Sequence, residues 1–326
     1  MPQFVLVLFG PTASGKTLIL QKLFTGNDKI CDAEVISADS MQVYRGLDIG
    51  TAKPSAELCA MLPHHLIDIR NPNEQFTAGD FTRLATAAID NILSKGKLPV
   101  VCGGTGFYIK NLIEGLPETP PVDAAVRSAL QEELSENGQE ALFAQLQVCD
   151  PVSAARIHIN DSYRLVRAME VYRATGKPLS SFAKSSAEDQ SYGANKANFI
   201  SFALEWDRMQ LYQRINKRCD AMFEAGLAAE VKRLFENGCT PYDPAMRAIG
   251  YREFFVQNYD DPENDGEVCW RLADDLEGIK NLVAQNSRRY AKRQITWFKK
   301  IKNVSWLKGD DLNEIQRNMR NSLKKF

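Results

Sequence analysis

The residues with the clearest chemical signature lie near the start of the chain and follow the pattern G-x-x-x-x-G-K-[ST] of a phosphate-binding loop. They are Gly10, Pro11, Thr12, Ala13, Ser14, Gly15, Lys16 and Thr17. In such a loop the backbone N–H groups and the positive end of the next helix face an anion. Lys16 would reach the terminal phosphates, and the Thr17 hydroxyl would ligate Mg²⁺. The motif therefore predicts a phosphate site with Mg²⁺ as cofactor, but it does not identify the phosphate compound.

Asp39 is the next residue with a chemical role. A short apolar run over residues 34–38 predicts a buried strand, and Asp39 follows its C-terminal end. In open α/β sheets this end of a strand faces the ligand. Two roles stay open from the residues alone, namely a Mg²⁺ ligand that acts through water and a general base close to the bound phosphates.

A second glycine turn and a pair of arginines add two further candidates. Residues 103–106 (GGTG) follow the apolar run 98–102, so the backbone can approach a ligand closely there, with the Thr105 hydroxyl either directed into the site or part of an ordinary turn. Arg214 and Arg218 are four residues apart and share one face of a predicted helix. Such a face is usually solvated, but Arg218 is in register to be partly buried and could bind a pyrophosphate with two hydrogen bonds.

The sharpest charge asymmetry lies near the C-terminus. Residues 288–302 hold seven Lys or Arg and no acid, with Tyr290, Trp297 and Phe298 among them. The aromatic residues could be helix core, but cations mixed with aromatic rings also suit single-stranded nucleic acid, where bases stack and phosphates need positive charge. Because the formal net charge of the chain is −1, any surface for a polyanion must be a local patch.

The elements that position these residues follow the pattern of a parallel α/β sheet over residues 1–118, where strands and helices alternate. Apolar runs predict strands over residues 4–9, 34–38, 64–69 and 98–102, and near-helical spacing predicts a helix over 78–94. The polar and glycine-containing residues 41–54 are predicted to form a loop near the site. Because the predicted strands are parallel, their carboxyl ends would gather the phosphate loop, Asp39 and Thr105 at one edge.

The composition changes after this sheet. Three prolines within residues 117–121 mark a boundary, and only helical patterns follow. One helix begins after Asn160 or Asp161 and ends at Gly176. These residues are predicted to form a helical domain inserted into the α/β core.

The chain then returns to the core. The polar residues 185–196 predict a flexible loop, and we interpret the apolar run 199–206 as the last strand of the sheet. The predicted fold class is α/β, with a P-loop NTPase-like parallel sheet core, an inserted all-helical domain and a helical C-terminal region. Residues 1–118 and 198–326 would form the core with its C-terminal helices, and residues 119–197 the insertion.

Composition sets the cellular context. With 326 residues, 44% hydrophobic and 25% charged residues, the chain is typical of a globular protein. No apolar run approaches the roughly 18 residues that span a bilayer, and the N-terminus enters a predicted core strand directly, so no membrane association and no signal peptide are expected. Seven scattered cysteines without a C-x-x-C motif argue against structural zinc and disulfides. We expect a cytoplasmic protein, and nothing requires a protein partner or more than a monomer.

Eight segments occur in one order along nearly the whole chain. They are GPTASGKT (10–17), SADSMQVYRGLDIGTAKP (37–54), HHLIDI (64–69), GGTGFY (103–108), DPVSAARIHINDSYRLVRAMEVY (150–172), GLAAEVKRLF (226–235), AIGYRE (248–253) and AKRQITWFKK (291–300). In content and order they resemble the tRNA dimethylallyltransferases, or tRNA isopentenyltransferases, in their bacterial form. The chain departs from the family at Phe107, where a leucine is common, and it lacks the zinc-finger extension of eukaryotic members.

The resemblance implies transfer of a dimethylallyl group from dimethylallyl diphosphate to N6 of an adenine, with release of diphosphate. The adenine lies 3′ of the anticodon in tRNAs that read codons beginning with U, so the partner is the anticodon loop of tRNA. The phosphate loop would hold the donor's diphosphate and not ATP for hydrolysis. By the same resemblance, the catalytic residues are Asp39 as the base, Thr105, Lys16 and Arg218.

The resemblance also implies a set of tRNA contacts, spread over the core and the inserted domain, which is thereby implied to bind tRNA. These residues are Asp39, Ser40, Met41, Gln42, Thr105, Arg127, Asn160, Asp161, Ser162, Tyr163, Arg164, Arg247, Ala248, Ile249, Gly250, Tyr251, Arg252, Lys292, Arg293, Gln294, Ile295, Thr296, Trp297, Phe298 and Lys299. Two alternatives stay open: an adenylate isopentenyltransferase acting on free AMP, ADP or ATP, and a non-catalytic RNA-binding protein switched by a nucleotide. The insertion and the basic tail favour tRNA, because a free nucleotide requires neither.

Overall fold

A computed structural model of the protein describes residues 4–115, 123–182, 198–258 and 269–324. The chain divides into two compact units, one formed by Met1–Glu114 with Lys196–Phe326 and the other by Gly115–Asn195. The prolines of residues 117–121 and the predicted loop 185–196 lie outside the described residues.

The first unit is built on a six-stranded sheet. Its strands are β1 (Phe4–Phe9), β2 (Ala33–Ser37), β3 (His64–His65), β4 (Leu98–Gly103), β5 (Asn198–Glu205) and β8 (Val304–Lys308), and their order in the sheet is β3-β2-β4-β1-β5-β8. All five neighbouring pairs are parallel. The predicted parallel α/β sheet is therefore confirmed, and the ends of β1, β2 and β4 carry the phosphate loop, Asp39 and the second glycine turn.

Helices cover the sheet. They are α1 (Lys16–Phe24), α2 (Ala56–Met61), α3 (Ala78–Ser94), α4 (Gly106–Glu114), α8 (Arg208–Glu224), α9 (Leu227–Glu236), α10 (Leu276–Phe298) and α11 (Leu312–Lys324). The predicted helix over residues 78–94 is confirmed, and Thr77 and Asp80 form a capping box at its start. A short antiparallel hairpin, β6 (Phe255–Asn258) with β7 (Cys269–Leu272), precedes α10.

The apolar runs of the strands are buried because helices pack on the sheet. Val5 to Phe9 of β1 are fully buried, and Leu6 and Leu8 join a core cluster with Leu20 of α1 and Ile315 of α11. Phe9 also contacts Phe298 of α10, with 5.0 Å between ring centroids. Burial of β1 on its helices fixes the position from which the phosphate loop departs.

Two predicted strands differ from the structure. The run 199–206 is not the last strand of the sheet, because β8 pairs with β5 from Ser201↔Val304 to Glu205↔Lys308. The strand predicted over residues 64–69 is limited to the two residues of β3, because Leu66 and Asp68 adopt positive φ values of 64° and 55° and end the extended conformation.

The second unit is helical where the structure describes it. It contains α5 (Ala124–Cys149), which is interrupted at Gly138, α6 (Pro151–Ala154), α7 (Ser162–Thr175) and a 3₁₀ turn over Leu179–Phe182. Asp161 caps α7 by accepting from the Arg164 N–H, and Gly176 ends this helix in the left-handed region. Leu130, Leu142 and Leu165 form the centre of a separate apolar core.

Among the described residues of both units, no helix is long and apolar enough to cross a lipid bilayer.

Candidate active site

The phosphate loop connects β1 to α1 through a tight backbone turn. Gly15 lies in the left-handed region with φ 89°, and Ala13 has φ 62°. The Lys16 ammonium folds back over the loop and donates to the carbonyl oxygens of Gly10 and Pro11, each at 2.9 Å. A lysine held in this way covers the space into which an anion bound to the loop would project.

Other side chains fix the remaining loop carbonyls. The Arg214 Nε donates to the Ala13 carbonyl at 2.8 Å, and the Trp206 Nε1 donates to the Ser14 carbonyl at 3.2 Å. The guanidinium carbon of Arg214 lies 4.3 Å from the centroid of the Trp206 ring. Arg214 therefore supports the loop backbone, whereas Arg218, its partner on the same predicted helix face, lines the cavity described below.

Burial sets the charge state of Lys16. Desolvation, together with the nearby charge of Arg218 and against that of Asp39, lowers the pKa of Lys16 from 10.5 to about 8. Burial likewise lowers the pKa of Arg218, with the Asp39 carboxylate acting in the opposite direction. Two half-buried cations beside one carboxylate give this region a net positive charge, which an anionic ligand would neutralise.

Hydrogen bonds join the segments that follow β2 and β4, where the predicted site residues Asp39 and Thr105 lie. The Thr105 N–H donates to the Ala38 carbonyl at 3.1 Å, and the Ser40 N–H donates to the Thr105 hydroxyl at 3.0 Å. The Asp39 carboxylate accepts from the Met41 N–H at 2.9 Å. A Cβ on Gly103 would lie 2.1 Å from the Ala38 carbonyl oxygen, so this approach of the two strands requires glycine.

One cavity of about 240 Å³ brings many of the predicted residues together in the first unit. Its lining includes Thr12 of the phosphate loop, Asp39 and Arg218. It also includes further predicted residues, namely Ser40, Met41, Arg247, Ala248, Ile249, Arg252 and Arg293. The cavity therefore joins the phosphate loop, a carboxylate and a group of arginines.

Tyr290 also lines this cavity, and sequence reasoning did not propose it as a site residue. Its hydroxyl lies close to Thr105, while burial and the charge of Asp39 raise the pKa of Tyr290 well above its usual range. The phenol therefore stays neutral at physiological pH. Its position among cations on the basic helix was visible in the sequence, but its direction toward Asp39 depends on how α10 packs.

Glu230 is a second residue that sequence reasoning missed. Its side chain is buried and accepts hydrogen bonds from the backbone N–H groups of Asp48, Ile49 and Gly50, at 3.0, 2.9 and 3.2 Å, and from the Tyr251 hydroxyl at 2.6 Å. Since Gly50 and the residue after it line the cavity, this carboxylate shapes one wall. A buried acid in the middle of the apolar face of α9 is the signal that could have identified it.

The predicted tRNA contacts divide into accessible and buried side chains. Lys292, Arg293 and Thr296 are exposed on α10, and Lys299 is exposed just after it. Arg247 and Arg252 are exposed nearby, and Gln42, Ile249, Ile295 and Trp297 are half-buried. The side chains of Tyr251, Gln294 and Phe298 are 0%, 5% and 0% exposed, so in this structure they lie away from the surface, and the tRNA contacts stay a prediction. Ala291, Gln294 and Phe298 are spaced by three and four residues, so they form the inward face of the helix.

The remaining predicted contacts belong to the second unit. The Arg127 Nε lies 3.3 Å from a carboxylate oxygen of the buried Glu170, and its guanidinium carbon is 5.8 Å from the Tyr163 ring centroid. Tyr163 and Arg164 are exposed, Asn160 is exposed, and Asp161 and Ser162 are half-buried at the start of α7. These side chains form an accessible cationic and aromatic surface of that unit.

The residues at the phosphate loop suit Mg²⁺. Thr17 presents an exposed hydroxyl at the second position of α1. Within the described residues there is no group of three or more His, Cys, Asp and Glu that could hold a metal ion. Mg²⁺ is commonly bound by few protein oxygens together with water and substrate phosphates, so this donor set fits an ion that arrives with a phosphate compound.

The fold and the site define a P-loop α/β protein with a polar cavity at the carboxyl edge of its parallel sheet. The model of the family described as IPP transferase matches residues 42–301, and the chain belongs to this family. The resemblance that the eight segments indicated is thereby confirmed.

Similar sequences and solved structures also support membership of this family. The tRNA dimethylallyltransferase of Geobacter sulfurreducens is 44% identical over 305 residues, which cover 93% of this chain and 91% of the relative. The full-length tRNA isopentenylpyrophosphate transferase from Bacillus halodurans is 37% identical, with a TM-score of 0.64 and coverage of 99% of this chain and 96% of that structure. A eukaryotic dimethylallyltransferase acting on tRNA is 28% identical, with a TM-score of 0.77 and coverage of 98% and 77%.

Proposed function

We propose that the protein transfers a dimethylallyl group from dimethylallyl diphosphate to N6 of the adenine 3′-adjacent to the anticodon, in tRNAs that read codons beginning with U. The observation that carries this proposal is the single cavity lined by Thr12 of the phosphate loop, Asp39, Arg218 and the exposed Arg293. Because the phosphate loop, a carboxylate and an exposed cation surround one space, this cavity supports a diphosphate site beside a base and an RNA contact. Membership of the family supports the same activity.

The proposed reaction is an alkyl transfer. The bond between C1 of the dimethylallyl group and the diphosphate oxygen breaks, and the bond between N6 and C1 forms. The adenine amino group is a weak nucleophile because its lone pair is delocalised into the ring. Asp39, which already accepts from the Met41 N–H at 2.9 Å, would take the proton that N6 loses, and Thr105 would orient the donor or the nucleotide.

The second requirement is a stable leaving group. The N–H groups of the phosphate loop, Lys16 and Arg218 would neutralise the charge that develops on diphosphate. Mg²⁺, held by the Thr17 hydroxyl and diphosphate oxygens, would supply further charge neutralisation when bound. Arg214 and Trp206 hold the loop carbonyls, so the loop backbone needs little rearrangement when the donor binds.

The acceptor must enter the cavity as an unstacked base. Extruding a base costs a few kcal/mol in a duplex and less in a single-stranded loop, which suits an anticodon loop. The exposed basic residues of α10, the arginines of 247–252 and the surface around Arg127 of the second unit would bind the RNA backbone. We place this activity in the cytoplasm and expect a monomer to carry it out.

The proposed acceptor is tested by incubating the protein with labelled dimethylallyl diphosphate, Mg²⁺ and either unmodified tRNA or AMP. We expect the label in tRNA, on the adenine next to the anticodon, and negligible label in AMP. Label in AMP alone would establish the adenylate isopentenyltransferase instead. Binding of tRNA without transfer of label would point to the nucleotide-switched RNA-binding protein.

The pH dependence of donor use follows from Lys16. Below pH 8 the ammonium is charged, and above its pKa of about 8 it becomes neutral and loses its attraction for diphosphate. We therefore expect the KM for dimethylallyl diphosphate to rise about fivefold from pH 8 to pH 9, measured in initial-rate assays at saturating tRNA. Lys16→Arg keeps its charge over this range and serves as the control. A KM that is constant to pH 9.5 would contradict the assigned role.

The basic face of α10 is tested by the salt dependence of tRNA binding. The variant Lys292→Gln/Arg293→Gln should lower the slope of log Kd against log salt by about 1 to 2, because two phosphate contacts are lost. Titrations of labelled tRNA at several salt concentrations give this slope. The matched control is Lys29→Gln/Lys232→Gln, which removes two exposed lysines elsewhere in the first unit. Equal slopes in both variants would place the RNA on another surface.

A further inference from the structure

Gln294 lies in the interior between the two halves of the proposed site. It is on α10, within the basic run, yet its side chain is only 5% exposed. Its Oε1 accepts from the Thr12 N–H of the phosphate loop at 2.9 Å, and its Nε2 donates to the Gly104 carbonyl at 2.8 Å. One side chain therefore connects the helix that is proposed to bind tRNA with both glycine turns of the sheet edge.

The chemistry of this bridge suits an amide. One atom must accept from an N–H and the other must donate to a carbonyl, and the Gln294 amide does both with one planar group. The space is also specific, since a Cβ on Gly104 would lie 2.5 Å from the Gln294 Nε2. The glycine turn thus makes room for the glutamine, and the glutamine fixes the orientation of the Thr12 N–H.

The same side chain reaches the predicted catalytic residues. The Tyr290 hydroxyl lies close to both Thr105 and Gln294, and Thr105 in turn accepts from the Ser40 N–H at 3.0 Å. Tyr290 and Gln294 are one helical turn apart on α10. A shift or rotation of this helix would therefore move the phosphate loop contact and the Thr105 contact together.

RNA binding to the exposed face of α10 would cause such a shift of the helix. Lys292, Arg293 and Thr296 are exposed within two residues of Gln294, and Arg293 also lines the cavity. An RNA backbone that engages these groups acts on the helix that holds Gln294. A buried polar side chain whose hydrogen bonds are all internal cannot follow the RNA independently, because leaving either bond unmade is costly.

We propose that Gln294 is a positioning residue that couples tRNA binding to donor binding, by transmitting the position of α10 to the phosphate loop through Thr12 and to Thr105 through the Gly104 turn. This inference rests on the proposed function. It predicts that tRNA strengthens the binding of diphosphate, and that diphosphate strengthens the binding of tRNA by the same factor, because coupling between two sites is reciprocal.

The test measures affinities in both directions. Inorganic pyrophosphate with Mg²⁺ is titrated into the full-length protein with and without a saturating unmodified tRNA transcript, and tRNA is titrated with and without pyrophosphate. We expect a gain of about tenfold in each direction for the unaltered protein, within the usual range of coupling factors. Gln294→Met keeps the volume and removes both hydrogen bonds, so each gain should fall to about onefold.

Two further variants separate positioning from general damage. Gln294→Glu keeps an acceptor for the Thr12 N–H but places an oxygen next to the Gly104 carbonyl oxygen, so it should also lose the coupling. If Gln294→Met fails to fold, Gln294→Glu is measured in its place. Gln285→Met alters an exposed glutamine of the same helix and should keep the full gain. A gain that persists in the Gln294 variants, or that is absent from the unaltered protein while it prenylates tRNA, would overturn the inference. Absence of prenyl transfer itself would instead overturn the proposed function and, with it, this inference.

Discussion

Replacing Asp39 with alanine is expected to lower the turnover of prenyl transfer by about 10²-fold or more, with tRNA affinity nearly unchanged. The reason lies in the position of the carboxylate, which follows β2, lines the cavity and lies near the cations Lys16 and Arg218. No other carboxylate is among the described residues that line the cavity, so the proton that N6 loses would have to go to a less well placed group. Single-turnover rates at saturating donor and tRNA measure this effect directly.

Two further variants test whether the effect depends on the Asp39 carboxylate itself. Asp39→Asn keeps the shape and an oxygen for the Met41 N–H, but it cannot take a proton, so its loss of turnover should approach that of the alanine variant. Asp32→Ala removes the exposed aspartate that precedes the same strand and should leave turnover unchanged. An Asp39→Asn enzyme with an unaltered rate would show that the carboxylate is not the base, and a large rise in tRNA Kd would show that it mainly binds RNA.

The sequence predicted those parts of the site that depend on strand ends. In a parallel sheet the carboxyl ends of neighbouring strands must meet at one edge, so the motif at Gly10–Thr17, Asp39 and Thr105 could be placed together before any coordinates existed. Their roles required the resemblance to a family, since position alone left Asp39 open between a Mg²⁺ ligand and a base.

Other parts depend on packing that no local pattern encodes. Gln294 and Tyr290 occur within a basic run that is typical of a solvated or RNA-facing helix, yet both side chains turn toward the sheet edge. The edge strand β8 was missed because a five-residue run with four side chains exposed or half-exposed resembles a loop after a long helix. Its identity is fixed by pairing with β5, which lies about a hundred residues earlier in the chain.

Glu230 was also missed because its contacts depend on packing between distant parts of the chain. Its replacement by alanine is expected to have a large effect on stability. In Glu230→Ala, the N–H groups of Asp48, Ile49 and Gly50 and the Tyr251 hydroxyl lose a buried acceptor. Each buried donor left without an acceptor typically lowers stability by about 1–3 kcal/mol, and four donors lose their acceptor in this variant. We therefore expect the free energy of unfolding of the first unit to fall by about 3–5 kcal/mol.

The loss should also be local, because residues 48–50 are held by this carboxylate and Gly50 lines the cavity. Chemical denaturation followed by amide hydrogen exchange at residues 48–50 measures both effects, with exchange rising there before the sheet opens. Tyr251→Phe is the matched control, since it removes one of the four bonds and should cost about 1 kcal/mol. If Glu230→Ala were no more destabilising than Tyr251→Phe, and exchange at residues 48–50 stayed slow, the carboxylate would not be what holds this wall of the cavity. The expected result would instead mean that a residue outside the predicted set of site residues determines the shape of this wall of the cavity.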